Sequence, residues 1–208
     1  MKSTLLISVA LLCLELLAGC GATRPDKYYQ LSLPGDRGPA NDPTAYPVTL
    51  IIGPILSPQL YQDQQIVYSS QAQAMGAYQY HRWAEPPAEM IGDVLLRELL
   101  VSGRYRSVIS LNSRARGDYL LRGRLYDFRE VDGSPLIARV AFAFELRDSK
   151  TDTIVWKQYY SHDEPVNGKD VTAVVAAMNR NVLSGLSEIT GGLAQYFAGQ
   201  EPPAASAR

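Results

Sequence analysis

Leu136-Ile137-Ala138-Arg139-Val140-Ala141-Phe142-Ala143-Phe144-Glu145-Leu146-Arg147 is the stretch on which the fold turns. Leu136, Ala138, Val140, Phe142, Phe144 and Leu146 occupy every second position, and Arg139, Glu145 and Arg147 fall between them. Successive side chains of an extended strand point to opposite faces, so this alternation specifies a strand with one face on a core and the other in water. Turn-forming clusters flank it at Asp132-Gly133-Ser134-Pro135 and at Asp148-Ser149-Lys150-Thr151-Asp152. Residues 118–162 are therefore expected to form an antiparallel meander whose third strand is Thr153 to Ser161.

Working towards the C-terminus, Val171, Val174, Val175, Met178, Val182, Leu186, Ile189, Leu193 and Phe197 recur at helical spacing. They predict one long helix from about Asp170 to Phe197, packed across the sheet. Working towards the N-terminus, Trp83-Ala84-Glu85-Pro86-Pro87 precedes a second apolar stripe of Met90, Ile91, Val94, Leu95 and Leu99. Proline is tolerated in a first helical turn, where its missing N–H would lack a partner anyway, and Gly103 supplies the stop. Earlier strands are expected at Lys27 to Leu33 and at Val48 to Ile52, the latter closed by Gly53-Pro54, with Gly35 to Pro47 as a loop between them. Gln65 to Ser69 and Ala77 to Tyr80 suit a hairpin. Arg104, Arg106, Arg114 and Arg116, interleaved with Tyr105, Val108 and Leu111, suit a solvated loop better than a binding stripe. The expected fold is a single α/β domain, a mixed or antiparallel sheet with two main helices packed on it.

Composition narrows the function. The formal net charge is −1 over 208 residues, so no basic field exists to attract nucleic acid. With 46% hydrophobic residues and thirteen tyrosines, the chain is suited to a packed, β-containing domain. His81 and His162 stand apart and fit no metal-ligand spacing, and each is read as a structural or surface histidine. Asp127, Glu130 and Asp132 sit near a strand end, where solvated charges are common. Neither a phosphate-binding glycine loop nor a Gly-x-Ser-x-Gly elbow occurs, so no catalytic residue and no metal ligand is assigned.

The first twenty residues carry a different message. Lys2 is followed by a nearly apolar run from Leu5 to Ala18, interrupted by Ser8 and Glu15, and then by Leu17-Ala18-Gly19-Cys20. A membrane-spanning helix needs about 20 apolar residues; a charged start, a shorter apolar middle and small residues before the cysteine describe a secretory signal instead. Leu-Ala-Gly-Cys resembles the lipobox of bacterial lipoproteins, which implies cleavage before Cys20 and covalent diacylglycerol and N-acyl chains on it. Each buried methylene contributes about 0.8 kcal/mol, so several chains anchor stably where one does not. Cys13 is discarded with the signal and Cys20 is consumed by lipid, so the folded part holds no thiol for a disulfide or a metal. Gly21, where an aspartate would favour inner-membrane retention by the enterobacterial sorting rule, implies an outer-membrane location facing the periplasm. The chain divides into a signal peptide at 1–19, a lipidated tether at 20–26, a domain at 27–198 and a disordered tail at 199–208.

Tyr78-Gln79-Tyr80-His81-Arg82-Trp83-Ala84-Glu85-Pro86-Pro87 is the most unusual local feature. Tyr80 and Trp83 suit the packing of a strand-to-helix corner. Tyr78, Tyr80, Arg82, Trp83, Pro86 and Pro87 also form a candidate partner-binding surface, because Trp, Tyr and Arg dominate interface hot spots.

The lipobox, Tyr28-Tyr29-Gln30-Leu31, the Arg82 to Pro87 corner, the helix over Met90 to Leu100 and Gly123-Arg124-Leu125 together resemble the ABC-type transport auxiliary lipoproteins, the PqiC-like family. The resemblance implies a fold like the N-terminal domain of TolB. It also implies a non-enzymatic docking subunit for a mammalian-cell-entry (MCE) protein and its associated ABC transporter, moving lipid between inner and outer membranes, and a ring-like oligomer on the end of an MCE tube. An outer-membrane assembly or cell-wall-associated structural lipoprotein is the alternative, and a periplasmic hydrolase a more distant one.

Overall fold

The computed structural model describes residues 24–32, 46–71, 74–111 and 116–200. The signal segment, Cys20, Arg114 and residues 201–208 of the expected tail lie outside these. Among the described residues, eight strands form one mixed sheet: β1 (Lys27–Tyr29), β2 (Tyr46–Leu56), β3 (Gln65–Gln71), β4 (Ala74–Trp83), β5 (Tyr105–Ser110), β6 (Tyr119–Val131), β7 (Ile137–Asp148) and β8 (Ile154–Pro165). A 3-10 turn, Gln59–Tyr61, and two helices, α1 (Pro87–Ser102) and α2 (Val171–Ala198), complete the domain.

The expected meander is the trunk of the sheet. β7 runs antiparallel to β6 on one side and to β8 on the other. At 13 residues, β6 is long enough to take two neighbours end to end along its remaining edge. β2 lies parallel to its first half, from Leu50↔Tyr119 to Leu56↔Arg124, and β3 lies parallel to its last residues, from Val67↔Arg129 to Ser69↔Val131. From β2 the sheet continues to β5, and from β3 it continues to β4 and β1. The sheet thus forks at β6. Tyr61 occupies the fork: it is buried, and its hydroxyl donates to Asp127 Oδ1 at 2.9 Å, between the last partner of β2 and the first of β3.

Several elements depart from the sequence-based expectation for identifiable reasons. The first strand ends at Tyr29 rather than Leu33, because the chain turns inward to bury Leu31 and Ser32 N–H donates to Asn179 Oδ1 at 2.7 Å. β2 begins at Tyr46, so the expected loop loses its last two residues, and it continues through Gly53-Pro54 to Leu56. A register shift between Ile52 and Ile55 accommodates the proline, which cannot donate to a ladder. Tyr105–Ser110, expected to lie in a solvated loop, is an edge strand with Tyr105 and Val108 buried. Its basic partner Arg106 reaches back to Asp118 at 2.8 Å, fastening the edge. The last strand extends to Pro165.

Both helices form where expected. Pro86 takes the N-cap position of α1 with Pro87 inside the first turn, and Gly103 ends the helix in the left-handed region at φ 62°. Asp170 caps α2 by accepting from Ala173 N–H at 2.8 Å. α1 packs on β2 and β5, and α2 on β7 and β8. Leu121, Leu125, Val140, Phe142, Phe144 and Leu146 from the trunk meet Val174, Met178, Val182, Leu186 and Ile189 from α2 in one core.

A fully buried polar contact fixes α2 on this apolar floor, with Tyr46 O–H to Ala194 O and Arg180 to Glu164, each at 2.9 Å, holding it from the margins. Asn181 is fully buried; its amide donates to Ala138 O and to His162 O, each at 2.9 Å, and its Oδ1 accepts from Tyr160 O–H at 2.7 Å. One turn further on, Gly185 lets the helix come so close that a Cβ there would stand 2.6 Å from both Phe142 and Tyr160. Replacing Asn181→Leu removes three bonds and leaves buried polar atoms short of partners, which should cost about 2–4 kcal/mol. Gly185→Ala should cost about 1–3 kcal/mol by overpacking. Urea unfolding of the two variants checks both values.

Candidate functional site

The aromatic corner is built where β4 runs into α1. Trp83, the last residue of β4, is 1% exposed and packs against Phe128 of β6 with ring centroids 5.3 Å apart. β1 closes over it, with Tyr29 paired to Trp83 and Tyr28 to Arg82. Trp83 N–H donates to Gln64 O at 2.6 Å, Ala84 N–H to Tyr29 O at 2.6 Å and Gln64 Nε2 to Ala84 O at 2.7 Å. Arg82 Nε reaches Asp26 at 2.7 Å, and Arg24 lies over the Tyr80 ring at 5.7 Å. Trp83 and Pro87 are therefore interior, and the expectation that the indole is offered to a partner is corrected. The large ring fills the space between β4 and β6, where Phe128 gives it an aromatic partner. Tyr78, Tyr80, Arg82 and Pro86 retain partial exposure.

Behind the corner lies a network of titratable groups. Tyr78 O–H donates to Glu130 Oε2 at 2.8 Å, and Tyr68 packs against Tyr78 at 5.1 Å. Tyr29 stacks on His81 and shares a 2.9 Å hydrogen bond with its Nδ1. Glu130 is 7% exposed, and no cation pairs with it among the described residues. Burial raises its pKa above the usual carboxylate range, with the Tyr78 bond pulling the other way. Burial, then the bond to Glu130, pushes the Tyr78 hydroxyl upward as well.

Asp127 and Glu130 serve different faces. Asp127 holds Arg129 at 3.1 Å on the uncovered side of the sheet and also accepts from Tyr61, whose pKa burial and Asp127 raise to about 12. His162 is half exposed, 3.7 Å from Glu164. Among the described residues no three His, Cys, Asp or Glu side chains stand together as a metal site. No helix among them is long and apolar enough to cross a membrane.

Sequence reasoning missed the face of the trunk that neither helix covers. Its rows read Arg122–Glu145–Lys157, then Arg124–Ala143–Tyr159, then Asp127–Ala141–Ser161. Tyr126, at the bulge of β6, is 49% exposed and meets Tyr159, 60% exposed, edge to face at 5.8 Å. The alternation of Leu121-Arg122-Gly123-Arg124-Leu125-Tyr126 carries the signal: every second residue is large and polar or aromatic while its neighbours are interior.

Two expectations follow from the corner. Trp83→Ala should cost about 3–5 kcal/mol in urea unfolding, acting on the fold rather than on a surface. For Glu130, a folded-state pKa above the unfolded one gives a stability contribution that is complete at low pH and is lost as pH rises through the folded value. Glu130→Gln should therefore raise the melting temperature at pH 7 relative to wild type, with the difference shrinking towards pH 4. A difference that grows on acidification would contradict this.

The chain is similar to several solved structures. A Xanthomonas campestris protein of the DUF330 family superposes with TM-score 0.72 at 19% identity, covering 84% of this chain and 98% of that one. A second, uncharacterized protein gives TM-score 0.64 at 13% identity over 82% and 99%, and a hypothetical protein of Chlamydia trachomatis gives 0.52 at 7% over 74% and 100%. At these identities the likeness establishes the fold. No curated protein matches the chain. The family model for the ABC-type transport auxiliary lipoprotein component matches residues 29–189, from the first strand into the last helix, and the chain belongs to that family.

Proposed function

We propose that this chain is a membrane-anchored, non-catalytic docking subunit of an MCE- and ABC-type lipid transport system linking the inner and outer membranes. The observation that carries the reading is the family match over 29–189, which spans all but the ends of the folded domain. The lipobox supports the anchor, since Cys20 lies only a few residues before β1. With diacylglycerol and an N-acyl chain on Cys20 the domain would hang from its membrane on a short tether and face the periplasm; Gly21 favours the outer membrane. Lipid then passes through the assembly, while this domain positions it.

Such a subunit needs rigidity and a surface rather than a reactive centre. The titratable groups in the corner are tied to one another, and Asn181 pins α2 to the trunk. The domain can thus transmit position from an anchor to a partner without internal give.

Two measurements test the proposal. Wild type should fractionate with membranes and incorporate labelled palmitate, whereas Cys20→Ser should do neither. Crosslinking and affinity recovery of the lipidated protein from its native envelope should yield an MCE-domain protein and subunits of its transporter. Recovery of assembly machinery or cell-wall components alone would overturn the transport reading.

A further inference from the structure

The uncovered face of the trunk holds an uneven distribution of charge. Each carboxylate on it already has an arginine on the same face: Asp127 with Arg129 at 3.1 Å, Asp163 with Arg139 at 2.7 Å, and Glu145 with Arg147 at 4.0 Å. Arg122, Arg124 and Lys157 form no ion pair among the described residues, although Glu145 stands between Arg122 and Lys157 in the register. A chain of net charge −1 thus concentrates surplus positive charge at one place.

The same place is shaped for contact. Ala141 and Ala143 form a low floor on β7, with the exposed Tyr126–Tyr159 pair standing over it. Hollows of about 490 Å³ and about 510 Å³ open on either side of Tyr126, each large enough for several side chains. Exposed tyrosines beside arginines make strong interface anchors, because they bring large contact area at small cost in rotamer freedom.

We propose that this face is the docking surface for an acidic protein segment of the transport system, whose carboxylates meet Arg122, Arg124 and Lys157 while an apolar side chain packs against the Tyr126–Tyr159 pair over the alanine floor. The inference rests on the docking role proposed above and names its surface. A protein is favoured over an anionic bilayer because Asp127, Glu145 and Asp163 lie in the same plane as the cations. A laterally uniform bilayer cannot match this mosaic of paired and unpaired charges, whereas a folded partner can place each charge opposite its complement. The recessed alanine floor likewise suits an entering side chain better than insertion of the tyrosines into lipid.

The test uses the full lipidated chain in its native envelope. The combined Arg122→Glu, Arg124→Glu, Lys157→Glu variant should lower recovery of the transport subunit at least tenfold, and Tyr159→Ala about fivefold. Membrane fractionation should stay at the wild-type value and the melting temperature should fall by only a few degrees, since the side chains are exposed and the cost is the like charge now set on either side of Glu145. A photo-reactive benzoylphenylalanine at position 159 should form an adduct with an acidic segment of that subunit, weakened in 1 M salt and lost on Arg124→Glu. Wild type recovering the subunit with no response to charge reversal would overturn the surface and leave the docking role standing. Wild type recovering no transport subunit would sink the role itself. Adducts at position 159 with phospholipid alone, with a second copy of the chain, or with nothing would each overturn the proposed surface.

Discussion

The side chain of Asn181 is the contact on which the arrangement depends. The fully buried floor of α2 is apolar around it, and apolar contact is non-directional: it holds a helix against a sheet without specifying where along its length the helix must sit. Asn181 removes that freedom by using both amide hydrogens and its carbonyl on Ala138 of the central strand β7 and on His162 and Tyr160 of its neighbour β8. A buried amide is costly unless fully bonded, so a shift along the strands would forfeit three bonds at once. The absence of a side chain at Gly185 then allows the close approach that makes the bonds reachable.

A second consequence concerns the sheet. With α2 on β7 and β8 and α1 on β2 and β5, one face is filled, and the core apolar residues of every trunk strand point to it. The fork at β6 lets both β2 and β3 join the same strand, and the buried Tyr61–Asp127 bond closes the gap where they part. The aromatic corner locks the β3–β4–β1 arm to β6 through Trp83 and Phe128. What remains outside is the opposite face of the trunk, where charge and aromatic surface collect.

Much of this was legible in the residues. Period-two alternation over Leu136–Arg147 reports a strand with a buried side, and helical spacing with a capping aspartate reports α2 almost to the residue. The edge strand Tyr105–Ser110 was not legible, because its buried residues are three apart and its arginines mimic a solvated loop; it becomes a strand only by pairing with β2, a tertiary effect. Trp83 misled in the opposite sense. Its composition, beside Tyr, Arg and Pro, is that of an interface anchor, yet burial depends on Phe128, forty-five positions away, which no local pattern reveals. The open face was hidden for a related reason: Tyr126 and Tyr159 are unremarkable singly, and only the register across β7 brings them together.

A domain with one face filled by helices and the other charged is suited to holding a partner in place. Hydroxyl-radical footprinting of the lipidated protein, alone and within its transport assembly, addresses this most directly. Tyr126 and Tyr159 should lose most of their oxidation in the assembly, while Leu100 and Leu111, exposed near α1, stay as reactive as in the free protein. Unchanged oxidation of both tyrosines together with protection of Leu100 and Leu111 would place the partner on the helical side and contradict the assignment.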